Sequence, residues 1–76
     1  MELLHHLDEI HTTPLGVERI QKNLGISCDV VEYLKEKINA STCKITKNGK
    51  NYYCEIENII ITINSYSYTI ITAHKK

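Results

Sequence analysis

The sequence predicts an α+β domain in which three short N-terminal helices pack on one face of a four-stranded antiparallel β-meander. Three observations carry this. Apolar residues recur at helical spacing through residues 1–39. Residues 42–74 are instead rich in Ile, Thr and Tyr, the side chains that suit a pleated, half-buried surface. Asn48-Gly49 and Glu57-Asn58 interrupt that second half where tight hairpin turns would fall. The 76 residues fit a single domain, 1–76. A chain of this size buries only about 60% of its unfolded surface, so its core is expected to be marginal.

The elements follow in order. Leu3, Leu7 and Ile10 at helical spacing predict a short helix from about Glu2 to His11. Thr12-Thr13-Pro14 ends it and starts a second helix. Thr13 suits the N-cap, and Pro14 suits the first helical position, whose N–H needs no intrahelical partner. Val17, Ile20 and Leu24 form the apolar stripe, and Gly25 is a natural left-handed stop. A third helix begins after Ser27 or Asp29, either of which can cap it. Asp29 with Glu32 has capping-box spacing. Val31, Leu34 and Ile38 supply its buried face.

In the sheet half, an Asn48-Gly49 turn sets Lys47 opposite Lys50, Ile45 opposite Tyr52 and Cys43 opposite Cys54. A turn at Glu57-Asn58 sets Ile56 opposite Ile59 and Cys54 opposite Ile61. Both turns agree on one apolar face, with Cys43, Ile45, Tyr52, Cys54, Ile56, Ile59, Ile61 and Ile63 toward the helices. The turn near Asn64-Ser65-Tyr66 leaves two registers open. A two-residue loop places Tyr68 and Ile70 on the helix side. A three-residue loop places Ile71 and Ala73 there and sends Tyr68, Ile70, Thr72 and His74 outward. Ile60 faces outward in both, so the outer face is partly apolar and open to a protein partner or a second copy. A homo-oligomer is expected.

Charge and composition exclude several function classes. Nine Lys/Arg balance nine Asp/Glu, so neither bulk cationic attraction to nucleic acid nor an acidic mimic of it is expected. The charge divides unevenly. Residues 1–39 carry four Lys/Arg and seven Asp/Glu, and residues 40–76 carry five and two, so the sheet is the basic half. No apolar run is long enough to span a membrane, and the N-terminal residues lack the features of an export signal. A cytoplasmic location follows as the expectation, and with it reduced thiols at Cys28, Cys43 and Cys54. No C-x-x-C pair and no His pair at i, i+4 spacing occurs, so neither metal nor cofactor is expected. The second and third helices have helix-turn-helix spacing. Asp29, Glu32 and Glu36 on the would-be recognition helix would repel phosphates, so the spacing is read as helix packing.

The candidate functional residues lie mainly in the sheet half. His74 is its only histidine and can exchange a proton near neutral pH. Lys50 and Lys47 flank a tight turn and suit a phosphate, as does Lys44. Tyr53 faces away from the expected core, where its ring could stack on a base. Thr72 could donate a hydrogen bond, and Arg19 on the second helix could clamp a phosphate bidentately. His74, Lys50 and Arg19 are the candidate catalytic groups. Tyr53, Lys47, Lys44 and Thr72 are the candidate contacts to RNA or DNA.

His11-Thr12-Thr13, Gly16-Val17-Glu18-Arg19-Ile20, Asn23-Leu24-Gly25, Gly49-Lys50-Asn51-Tyr52-Tyr53, Thr62-Ile63-Asn64 and Ser67 through His74 resemble a bacterial family of small stand-alone proteins of unknown function. That family often carries Trp where this chain has Tyr52. The resemblance implies a bacterial cytosolic protein and transfers no activity. More distantly, helices before a four-stranded meander ending in Tyr-Thr-Ile-Ile-Thr-Ala-His look like the small metal-independent ribonucleases of the RelE and colicin type. That likeness implies a ribonuclease-like toxin or regulator acting on nucleic acid. The alternative is a non-catalytic protein-interaction module, such as a mobile-element inhibitor or a small oligomerising protein.

Overall fold

The computed structural model describes residues 3–76. A 3₁₀ helix spans Leu3–Glu9, followed by α1 (Pro14–Leu24) and α2 (Val30–Asn39). Four strands come next: β1 (Lys44–Asn48), β2 (Asn51–Ile56), β3 (Ile59–Asn64) and β4 (Ile70–Lys75). They form one antiparallel sheet in the order β1-β2-β3-β4, so the domain is α+β.

The two α-helices begin where their caps dictate. The Thr13 hydroxyl accepts from the Gly16 N–H at 3.0 Å, Pro14 opens α1, and Gly25 closes it at φ +67°. That left-handed conformation carries no Cβ penalty at glycine. Asp29, rather than Ser27, caps α2, its Oδ1 accepting from the N–H groups of Val31 and Glu32 at 3.0 and 3.3 Å. The first segment differs from its expectation. It is a seven-residue 3₁₀ helix that ends at Glu9 rather than at about His11, and His6 breaks it at φ −122°, ψ 24°. The expected start at Glu2 lies outside the described residues. So short a segment cannot offset the cost of α-helix nucleation, and its path follows tertiary packing. Leu3 and Ile10 anchor it, 0% and 3% exposed.

The first hairpin corrects the expected register. Asn48 pairs with Asn51, Lys47 with Tyr52 and Ile45 with Cys54, so the turn residues are Gly49 and Lys50. Cys54 therefore faces Ile45, not Cys43. Gly49 has φ +63°, whereas Lys50 is not among the positive-φ residues. A type II′ turn needs glycine at its first central position alone, and Gly49 meets that demand only when the turn starts one residue later. The strand slides by two residues, an even number, so each side chain keeps its face. The second hairpin matches its expectation. Ile56 pairs with Ile59 and Cys54 with Ile61, and Glu57 and Asn58 both take positive φ, +49° and +66°, as a type I′ turn requires.

The last strand resolves the open register in a way neither loop length alone allows. Ile63 pairs with Ile70, but Thr62 pairs with Thr72, leaving Ile71 as an extra residue. The bulge changes the strand's parity midway. Ile70 and Ala73 thus both reach the core, 2% and 0% exposed, while Ile71 is pushed out to 49%.

One core joins the helices to the inner sheet face. Ile20, Leu24, Leu34 and Ile38 pack with Tyr52, Cys54, Ile61 and Ile63. On α2 the fully buried residue is Val30, with Val31 only flanking. Both fit helical spacing to Leu34, and the fold uses the straight i, i+4 row through Val30, Leu34 and Ile38. Leu7 and Ile45 likewise flank the core rather than fill it.

Cys28, Cys43 and Cys54 are free thiols. Burial pushes the Cys54 thiol up to about 12, helped by the neighbouring Cys43. Burial raises Cys43 as well. An unfolded thiol titrates near 8.5, so above that pH the unfolded chain releases protons that the fold retains. The thiols' contribution to stability should be flat below about pH 8.5 and fall as pH rises from there toward 12. Urea titrations at pH 7.5 and 9.5 should show this loss, and it should shrink in Cys54→Ala. The core makes a second demand. Ile61→Ala or Leu34→Ala should cost about 2–5 kcal/mol by chemical denaturation. Ile71→Thr, at the exposed bulge, should stay within about 0.5 kcal/mol of the parent.

Candidate functional site

The sheet face turned away from the helices is arranged in three rows across the strands. Lys44, Glu55, Ile60 and His74 form the first, and Thr46, Tyr53, Thr62 and Thr72 the second. Asn48, Asn51 and Asn64 form the third. Antiparallel partners project to the same side, so these side chains share one surface. Thr62 is nearly buried at its centre, 9% exposed.

A groove of about 260 Å³ opens on this face, lined by Lys44, Thr46, Tyr53, Glu55 and Ile60. Asn51 Nδ2 donates to the Tyr53 hydroxyl at 3.5 Å, and the Thr46 hydroxyl donates to the Tyr53 carbonyl at 3.5 Å. Glu55 accepts an ion pair from Lys76 at 2.9 Å. Lys76, with a smaller contribution from Lys44, holds the Glu55 carboxyl below its ordinary range. The groove thus joins an aromatic ring and an apolar side chain to a carboxylate whose charge is largely answered, leaving Lys44 as its unpaired cation among the described residues.

The structure gathers some of the sequence-derived candidates and separates others. Tyr53, Lys44, Thr72 and His74 share the open face. Lys47 is opposite Tyr52 on the helix side, its Nζ 6.0 Å from the centre of the Tyr52 ring. Lys50 sits in the first turn, five residues along β2 from Glu55, and Glu55 belongs to the row of His74. That is roughly 16 Å along the strand, before crossing to β4. Arg19 is exposed on α1, one helical turn before Asn23, whose side-chain amide donates to the Ala73 carbonyl at 3.3 Å. Arg19 is thus carried on the helix that packs beside β4 and not on the open sheet face. Among the described residues, no hydrogen bond or ion pair links His74 to Arg19, Lys50 or Thr72, and no group of three or more His, Cys, Asp and Glu could hold a metal ion.

A second cluster was not foreseen from the sequence. The chain after the 3₁₀ helix runs beside β4, and His11 forms a parallel bridge with Thr69. The Ile70 N–H donates to the His11 carbonyl at 2.8 Å, and the Thr12 hydroxyl donates to the Ile70 carbonyl at 3.1 Å. A Cβ at Gly16 would collide with the Thr12 hydroxyl, so glycine permits this close approach. His11 Nδ1 lies 2.8 Å from the Glu9 carbonyl, which can only accept. Nδ1 therefore carries a proton, and Nε2 lies in hydrogen-bond contact with the Thr69 hydroxyl at 3.0 Å. Ser67 Oγ follows at 2.8 Å from Thr69 Oγ1, and Asn64 Oδ1 accepts from the N–H groups of Tyr66 and Ser67 at 2.9 and 3.0 Å. Tyr68, at φ +57°, stacks on His6 with ring centroids 4.7 Å apart. The available signal was long-range. His11-Thr12-Thr13, Asn64 and Ser67 through Ile70 all belong to segments singled out for the family resemblance, but 58 residues separate His11 from Thr69.

The family model described as "Protein of unknown function (DUF3781)" matches residues 4–74 of the chain. No curated protein and no solved structure matches. The likeness to RelE and colicin-type ribonucleases thus gains no support.

The His11 cluster is testable as a structural clasp. Thr69→Val removes the hydroxyl that bridges His11 and Ser67. It should cost about 1 kcal/mol by denaturation and speed amide exchange at Ile70, whose N–H is bonded to His11.

Proposed function

The chain belongs to the DUF3781 family of proteins of unknown function, and we propose that it is a non-catalytic interaction module that holds a protein partner on the open face of its sheet. The groove between β1 and β3 carries this reading. Tyr53 and Ile60 offer apolar contact there, rimmed by Lys44, Thr46 and Glu55. Aromatic anchors with a polar rim suit protein recognition. The dispersal of His74 and Lys50 to opposite ends of the sheet argues against a shared proton-transfer site, which needs hydrogen-bond reach.

A second reading, binding of RNA or DNA, draws on one observation: Tyr53, Lys44, Thr72 and His74 share a face. A ring for stacking, a cation and hydroxyl donors suit single strands. Lys76 is engaged by Glu55, which leaves Lys44 as the groove's unpaired cation among the described residues, so the protein reading takes precedence. Self-association is the form of that reading favoured by Ile60 and the exposed Ile71. No helix among the described residues is long and apolar enough to cross a membrane. A cytoplasmic site of action is part of this proposal.

A photo-crosslinking amino acid placed at Tyr53 in bacteria should give an adduct that resists nuclease and yields partner peptides, or a second copy of this chain, by mass spectrometry. The same probe at Leu15, on the helical side, serves as the control. A nuclease-sensitive adduct would shift the assignment to nucleic acid. Growth arrest on overexpression that His74→Ala relieves would overturn the non-catalytic reading.

A further inference from the structure

The two edges of the sheet are unlike. Along β4 the chain's own N-terminal half meets several outward groups: Ile70 N–H by His11, the Ile70 carbonyl by Thr12, and the Ala73 carbonyl by Asn23. Along β1 the outward groups are not met. The pair closing a two-residue hairpin exchanges hydrogen bonds, and bonded pairs then alternate. Asn48, Thr46 and Lys44 therefore bond to β2, while Ile45 and Lys47 turn their N–H and carbonyl groups outward. No other backbone or side-chain hydrogen bond among the described residues reaches them. An open strand edge is a template for another strand.

The side chains along that edge define what fits it. Lys44 projects to the open face and Lys47 to the helix side, and neither is in an ion pair among the described residues. A second copy laid antiparallel must bring outward peptide groups against outward ones, so Lys47 either meets Lys47 with Lys44 against Lys50, where facing like charges are destabilising, or lies against Ile45 or Cys43 with neither lysine answered by a carboxylate. An acidic strand meets no such opposition. Residues opposite Lys44 and Lys47 should be acidic. The residue opposite Thr46 falls beside the groove of Tyr53 and Ile60, and the residue opposite Ile45 extends the rim of the core, so both should be apolar. Alternate strand residues point to opposite faces, so one segment satisfies all four positions.

We propose that β1 captures an extended partner segment of the pattern acidic-apolar-apolar-acidic, which joins the sheet as a fifth strand and places a side chain in the Tyr53 groove. This deepens the interaction-module reading and rests on it. The pattern reads the same in both directions, so strand polarity does not change it. Main-chain bonds supply affinity and the two lysines supply choice.

The probe is a fluorescein-labelled peptide, Thr-Glu-Val-Val-Glu-Thr with blocked ends, titrated against the full chain by fluorescence polarisation. Binding should saturate, weaken as salt rises, and fall at least tenfold in the Lys44→Glu/Lys47→Glu variant. The analogue with lysine for both glutamates should bind that variant and not the parent, which shows the variant remains folded. Amide exchange should slow at Ile45 and Lys47 on peptide binding and stay unchanged at Thr46, whose N–H already bonds to β2. No saturable binding, or binding indifferent to the charge reversal, would overturn the proposal. Binding that Tyr53→Ala abolishes, with no slowing at Ile45 and Lys47, would put the peptide on the face instead. The interaction-module reading would then survive without the added strand.

Discussion

Strand parity is the constraint on which the rest of this domain depends. With a period of two, the inner face of a strand is settled by a single residue of offset. The Glu57–Asn58 turn fixes that offset at the centre of the sheet, where β2 and β3 together supply Tyr52, Cys54, Ile61 and Ile63 to the core. Its two positive-φ residues are not glycines, so the turn accepts local backbone strain to hold the central register. The other two turns adjust around this one. The first slides by an even step and leaves every face unchanged. The last would disturb the faces of β4, and the Ile71 bulge restores them.

Much of this could be read from residue patterns alone, because the signals are local. Thr13-Pro14, Gly25 and Asp29 each bound a helix through atoms within four residues of themselves. The inner sheet face was legible for the same reason. What escaped was whatever depends on tertiary context. Asn48-Gly49 is a strong turn signal, but whether glycine fills the first or second central position is settled by how β1 meets the rest of the sheet. A bulge leaves no mark in a run such as Tyr68-Thr69-Ile70-Ile71-Thr72-Ala73, where both parities are apolar. The 3₁₀ character of Leu3–Glu9 likewise comes from packing and not from propensity.

The candidate site was legible in part. The outward position of Tyr53 and Ile60 follows from parity, and the structure puts them in one groove with Lys44. The grouping of His74 with Lys50 rested on chemical type without position, and the length of a strand separates them. Histidine spacing bears only on metal ligation and cannot show that the His11 ring meets a threonine far away in sequence. Unlike edges give the sheet a direction: one side is closed by the protein's own chain, and the other is left with two lysines and a row of unused peptide groups.

The closing of the β4 edge also bears on how the chain reaches its native state. The contacts of His11 and Thr12 with Thr69 and Ile70 join residues 58 positions apart. Bringing such distant segments together carries a loop-closure cost that grows with the logarithm of the separation. Contacts of that span form late and slow the folding of small domains. The hairpins and both capped helices can organise from local signals first. Until residues 69 and 70 are in place, the segment carrying Leu3 and Ile10 has no strand to run beside, and its apolar side chains stay in water. The docking of the N-terminal segment along β4 is thus expected late in folding, at a stage when exposed apolar surface and an unpaired strand edge are present together.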